Sequence, residues 1–116
     1  MSTKAPTAAP STIFAALGDE NRLRILTVLS RYPAGASATT LADGMPVTRQ
    51  AVSRHLNVLH NAGLVDNQRH GREARYAVRT QELTRCADWL ADLGLRWEGQ
   101  LQAVKALAEG HTTHGD

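Results

Sequence analysis

The sequence predicts a mainly α fold carrying one small β-hairpin. Three observations point there. Apolar residues recur at helical spacing over most of the chain, most clearly as Val52, Leu56 and Leu59 at i, i+4 and i+7. Two extended runs, residues 64–69 and 73–78, flank the turn signal His70-Gly71-Arg72. The break Gly44-Met45-Pro46 separates a very short helical segment from the clear helix after it.

The elements follow in order. Residues 1–10 are Ala, Pro, Thr and Ser with one Lys, the composition of a disordered arm. Ser11 is placed to cap a short helix carrying Ile13, Phe14, Ala16 and Leu17, which Gly18 ends. Asp19 caps a second helix, Asn21 to about Arg31. Leu23, Leu26 and Leu29 fall along its stripe, Ile25 and Val28 lie beside it, and Arg22 and Arg24 lie nearer water. Tyr32-Pro33 closes it, because the residue before a proline is pushed out of the helical region.

After a loop of small residues, Ser37 or Thr39 caps a short helix through Asp43 with Leu41 and Ala42 inward. Thr48 caps the helix from Arg49 to about Ala62, and Gly63 sits where a left-handed cap is expected. Gln50, Ser53, Arg54 and Asn57 point away from its apolar stripe. The hairpin comes next. Thr80 then caps a final helix to residue 109, with Leu83, Ala87, Leu90, Trp97, Leu101, Val104 and Ala108 as its stripe, broadened by Trp89, Leu93 and Leu107. Gly94 and Gly99 each cost about 1 kcal/mol relative to Ala, which makes a bend near Gly94 an expectation. Residues 110–116 read as a disordered tail. The expected organisation is an arm (1–10), a core (11–79), a dimerisation helix (80–109) and a tail.

Composition excludes several functions. With 116 residues the chain holds one domain. Its longest apolar run, Ile13–Leu17, is far short of the roughly 20 residues that span a bilayer, and the N-terminus has no apolar signal segment. The single cysteine, Cys86, makes neither an internal disulfide nor a multi-cysteine zinc site. No Ser/His/Asp or Cys/His set, glycine-rich phosphate loop or zinc signature occurs, so neither an enzyme nor a cofactor is expected. A cytoplasmic protein without a membrane partner fits best.

The net charge of +2 becomes informative once divided. Residues 47–79 carry Arg49, Arg54, Arg69, Arg72, Arg75 and Arg79 against only Asp66 and Glu73. Arginine forms planar bidentate bonds with phosphates and guanine edges.

The order helix, helix, short helix, tight turn, longer helix, hairpin, long helix is that of a winged helix-turn-helix. The short helix braces the longer one so that its N-terminal half stands out and enters a DNA major groove. In that groove Gln50 suits adenine, and Arg49 or Arg54 suits guanine. Thr48 and Ser53 suit phosphate oxygens, as does the helix N-terminus. Arg69, Arg72 and Arg75 of the wing suit the backbone or the neighbouring minor groove.

Four stretches carry a family resemblance: Leu17-Gly18-Asp19-Glu20-Asn21-Arg22-Leu23-Arg24-Ile25-Leu26, Val47-Thr48-Arg49-Gln50-Ala51-Val52-Ser53-Arg54-His55-Leu56, His60-Asn61-Ala62-Gly63-Leu64-Val65, and Arg69-His70-Gly71-Arg72-Glu73-Ala74-Arg75-Tyr76. In this order they resemble the ArsR-type winged-helix repressors over about residues 11–80. The resemblance implies a homodimeric repressor of a pseudo-palindromic double-stranded DNA operator, with Arg49, Gln50, Ser53 and Arg54 as DNA contacts. His55 is read as a packing residue. The first and last helices would form the interface, placing Ile13, Phe14, Leu17, Leu90, Leu93, Trp97 and Leu101 there. The length of the last helix points the same way: about 28 residues span roughly 42 Å, more than a body of this size covers.

The sequence departs from the family's metal sensors. Thr39–Met45 holds no Cys, His or Glu, and the last helix offers Asp88 and Asp92 without a histidine. It resembles instead members ending in a Trp/Leu-rich helix, for which an unidentified small-molecule inducer stays open. Two other readings remain beside this one. One is a thiol- or metal-responsive sensor using Cys86 or the tail histidines His111 and His114. The other is a winged helix serving as a protein-interaction module without DNA specificity.

Overall fold

The computed structural model describes residues 8–113, with side chains to residue 109. The expected arm at residues 1–7 and the end of the expected tail, 114–116, lie outside the described residues. The order is α1 (Pro10–Leu17), α2 (Glu20–Leu29), α3 (Ala38–Ala42), α4 (Arg49–Asn61), β1 (Val65–His70), β2 (Glu73–Val78) and α5 (Thr80–Thr113).

Local chemistry sets the boundaries. Proline occupies the first turn of α1, where its missing N–H costs nothing, so the helix begins one residue before the expected cap at Ser11. The Asp19 carboxylate accepts from the backbone N–H groups of Asn21 and Arg22 and starts α2. Ser37 caps α3 through the N–H of Thr40, and Thr48 caps α4 through that of Ala51. Gly63 ends α4 at φ +81°, the left-handed conformation the sequence anticipates.

The core lies between α1, α2, α3, α4 and the hairpin. Ile13, Ile25, Leu29, Leu41, Val52, Leu56, Leu59 and Leu64 are all buried. The expected α2 stripe needs correction. Leu23 is 49% exposed, because steps of three residues drift about 60° around a helix. The inward set is Arg22, Ile25, Leu26 and Leu29, at i, i+3, i+4 and i+7. Arg22 is thus drawn inward rather than left on the wet face.

The hairpin is antiparallel, with Val65 opposite Val78 and His70 opposite Glu73. Ala36 adds an isolated bridge to Tyr76, exchanging bonds of 2.9 and 2.8 Å. Gly35 permits this approach: φ is +94°, and a Cβ would stand 3.1 Å from the Tyr76 carbonyl oxygen. The sequence shows this stretch only as a loop.

α5 is one unbroken helix through Gly94 and Gly99, without the expected bend, and it continues through 110–113, where the tail was expected to begin. Its first turns join the body through Leu83, Cys86 and Trp89, whose ring lies 5.8 Å from that of Phe14. The rest projects. The molecule measures 74 × 36 × 21 Å, with a radius of gyration of 20.3 Å, where a compact chain of this length gives about 13 Å.

Candidate nucleic-acid interface

α4 is anchored by its own apolar stripe and braced by α3. Val52, Leu56 and Leu59 are buried beneath it, which turns the opposite side outward. Thr48, Arg49, Gln50 and Arg54 are exposed there, and Ser53 is half-buried at the edge. The Thr48 oxygen accepts from Ala51, leaving the hydroxyl hydrogen to donate.

The wing stands beside this helix. Gly71, at φ +67°, makes its turn, and Arg69 Nη1 donates to the Arg72 carbonyl at 3.1 Å, bracing the tip. Between α3, the first half of α4 and the wing lies a cleft of about 460 Å³, whose lining includes Ser37, Thr39, Arg49, Ser53, His70, Arg72 and Glu73. Two sequence-predicted residues of α4 and one of the wing therefore share one depression, although 23 positions separate Arg49 from Arg72.

Ion pairing sorts the arginines of the basic segment. Glu73 holds Arg75 at 3.0 Å and Asp66 holds Arg79 at 3.6 Å. Among the described residues Arg49, Arg54, Arg69 and Arg72 make no ion pair within the chain. Both acids of the segment thus sit on Arg75 of β2 and on Arg79, which joins β2 to α5, and the uncompensated charge is left on α4 and the wing tip. Arg75 does not join Arg72 in the cleft. It lines a neighbouring depression with Tyr32, Gly35 and Thr40, and Glu73 borders both.

Thr39 and His70 are lining residues that the sequence reading missed. The signal for Thr39 was its place beside the turn, on a helix too short to bury every side chain. His70 was read only as part of a turn.

The residues assigned to subunit contact divide as well. Ile13 is fully buried in the protomer's own core and has no surface to give a partner, which removes it from that set. Its neighbours Phe14 and Leu17 are half-buried, whereas Leu90, Leu93, Trp97 and Leu101 are exposed on α5.

Cys86 is buried, and burial pushes its thiol up from the ordinary value, away from the reactive thiolate. The side chains of His111 and His114 lie outside those described. Among the described residues no helix is long and apolar enough to cross a membrane.

Comparison with known proteins agrees with this geometry. A helix-turn-helix domain family matches residues 17–68. An ArsR-like transcriptional regulator from Rhodococcus sp. RHA1 superposes with a TM-score of 0.77 at 44% identity, covering 85% of this chain and 92% of that one. The uncharacterized HTH-type transcriptional regulator YuzN of Bacillus subtilis is 42% identical over 66 residues, 52% of this chain and 71% of YuzN. The transcriptional repressor SdpR of the same organism is 26% identical over 80 residues, 69% of this chain and 87% of SdpR. The chain belongs to the ArsR-type family of winged helix-turn-helix transcriptional regulators.

Proposed function

We propose that this protein is a homodimeric repressor that binds a pseudo-palindromic duplex operator, with α4 in the major groove and the wing on the flanking backbone. The observation that carries the reading is the cleft that brings Arg49 and Ser53 of α4 together with Arg72 of the wing, next to the exposed Gln50 and Arg54 of the same helix, while the ion pairs of the segment fall on Arg75 and Arg79. Arg49, Gln50 and Arg54 read base edges, while Thr48, Ser53, Arg69 and Arg72 hold phosphates. Arg75 contributes once its Glu73 pair opens. A named repressor among the relatives and a homodimeric winged helix-turn-helix domain from Mycobacterium bovis among the structural neighbours support repression and dimerisation. Its place of work is where the DNA is, the cytoplasm in bacteria such as those that supply its relatives.

The dimer follows from geometry. α5 carries Leu90, Leu93, Trp97 and Leu101 into solvent, an apolar load that a second copy covers. Two-fold symmetry then presents two recognition helices to half-sites about 34 Å apart.

The test is operator selection followed by anisotropy titration. Arg54→Ala and Gln50→Ala are expected to abolish specific binding while the sedimentation coefficient stays that of the dimer. Unchanged specific affinity in both would reject the assignment. The interaction-module reading predicts equal affinity for selected and random duplexes. It is disfavoured by the α4 face, which offers arginines and amides where a protein partner needs apolar surface.

A further inference from the structure

Past Trp89, α5 carries an apolar seam that its own protomer leaves uncovered. Leu90, Trp97, Leu101 and Val104 are 46%, 59%, 46% and 63% exposed. In the middle of this seam stands Gly94. Its φ is not positive, and a Cβ built on it meets nothing within 4 Å. Within one protomer a glycine here only weakens the helix.

The seam is palindromic. Ala87, Leu90, Gly94, Trp97, Leu101 and Val104 follow the alternating three-and-four spacing of a heptad seam. Ala87, Gly94 and Leu101 take one core position, and Leu90, Trp97 and Val104 take the other. Reversed about the midpoint between residues 95 and 96, the pattern lays small on large in two kinds of layer and leucine on leucine in the third. Gly94 meets Trp97, Ala87 meets Val104, and Leu90 meets Leu101. Two helices that run antiparallel about a two-fold axis bring together residues whose numbers have a constant sum. A parallel pairing instead stacks Trp97 on Trp97 and Gly94 on Gly94, one layer overfilled and the next empty.

We propose that a second copy of this chain occupies the seam in antiparallel register, with the Trp97 indole of each copy seated over Gly94 of the other. The proposal deepens the homodimer reading and rests on it. Trp89, one residue before Leu90 and off the seam, packs on Phe14, so the seam begins where α5 leaves its contact with α1. From Ala87 to Val104 it runs about 26 Å, time enough along the axis for five turns of close contact.

Cysteine cross-linking tests the register. In a Cys86→Ala background, Leu90→Cys and Leu101→Cys are combined and the protein is oxidised with diamide. Trypsin cuts after Arg85, Arg96 and Lys105, so the two cysteines leave on different peptides. They lie about 16 Å apart along one helix, too far for a bond within a chain. The expected product is the mixed disulfide peptide. Symmetric 90–90 and 101–101 peptides, or no cross-link in a protein that still sediments as a dimer, overturn the register. Wild-type protein that sediments as a monomer at micromolar concentration overturns the homodimer reading itself.

A swap gives the second readout. Gly94→Trp fills the notch and is expected to weaken dimerisation about tenfold or more. Gly94→Trp combined with Trp97→Gly rebuilds the same layer with its members exchanged, and is expected to return the dimer constant to within about threefold. Circular dichroism checks that both variants fold. A single variant that dimerises normally, or a swap that fails to recover, overturns the proposal.

Discussion

Arg22 donates from Nη1 to Nδ1 of His55 across 3.3 Å, and this bond ties the recognition helix to the end of α1. Arginine has no acceptor, so the imidazole nitrogen accepts. The other guanidinium nitrogens donate to the carbonyls of Ala16 and Ala15, capping α1. One side chain thereby links a helix assigned to subunit contact with the helix assigned to DNA.

Truncation of this hub is expected to destabilise the fold. Arg22→Ala leaves α1 carbonyls and His55 Nδ1 without their donor, at a cost of about 2 kcal/mol. His55→Ala removes one bond only and costs about 1 kcal/mol. Urea denaturation of both singles and the double measures the coupling, expected near 1 kcal/mol. Strict additivity would show that the bond carries no energy.

Asp19 supplies a pH signature. Its carboxyl is held below the ordinary value of 3.8, chiefly by the backbone N–H of Arg22 and, against the opposing effect of desolvation, by that of Asn21 and the Arg22 charge. A depressed folded value means that the charged cap stabilises fully above the unfolded value and is lost as pH falls through the folded one. Asp19→Asn keeps the cap and removes the charge. Its melting temperature is expected to lie below wild type at pH 7, the two curves meeting below about pH 3.8. A gap of constant size down to pH 2 would assign the effect to something other than ionisation.

Much of this architecture was legible because the cues are local. The caps at Asp19, Ser37 and Thr48, the left-handed Gly63 and the α4 stripe each need only a few neighbouring residues. The outward face of α4 followed at once, since helical spacing fixes both sides together. What escaped depends on distance in sequence. Arg22 read as a surface residue because its partner lies 33 positions on. The pairing of Arg75 with Glu73 and of Arg79 with Asp66, which decides where free charge remains, needs the hairpin register. Ile13 looked like an interface residue because an apolar stripe does not say whether its own chain or another covers it. Glu82, an acid in the first turn of α5, is buried and bonded to Arg85 at 2.7 Å, which only packing reveals.

Cys86 is expected to react slowly. It is buried on the inner side of α5 and its thiol is pushed up by that burial, so both access and thiolate fraction are low. Colour development with Ellman's reagent at pH 7.5 is expected to be at least about a hundredfold slower in native protein than in denaturant. Matching rates, with operator affinity lost on oxidation and retained in Cys86→Ala, would establish thiol sensing instead.

Glu73 sets the charge of the cleft. It is the one acidic residue in a lining that includes Arg49, His70 and Arg72, and it holds Arg75 at 3.0 Å. On a DNA-binding surface it repels phosphate and occupies a cation. Both partners are about half exposed, so the pair itself adds little to stability. Glu73→Gln is therefore expected to leave the melting temperature nearly unchanged and to raise operator affinity about threefold or more, with a steeper dependence on salt as Arg75 joins the phosphate contacts. Arg75→Ala should weaken wild type less than Arg72→Ala does, and the order should reverse or level once Glu73 is neutral. Titrations from 50 to about 200 mM salt measure the affinities and slopes together. Weaker binding by Glu73→Gln with an unchanged slope would show that the carboxylate positions the wing rather than opposing the DNA.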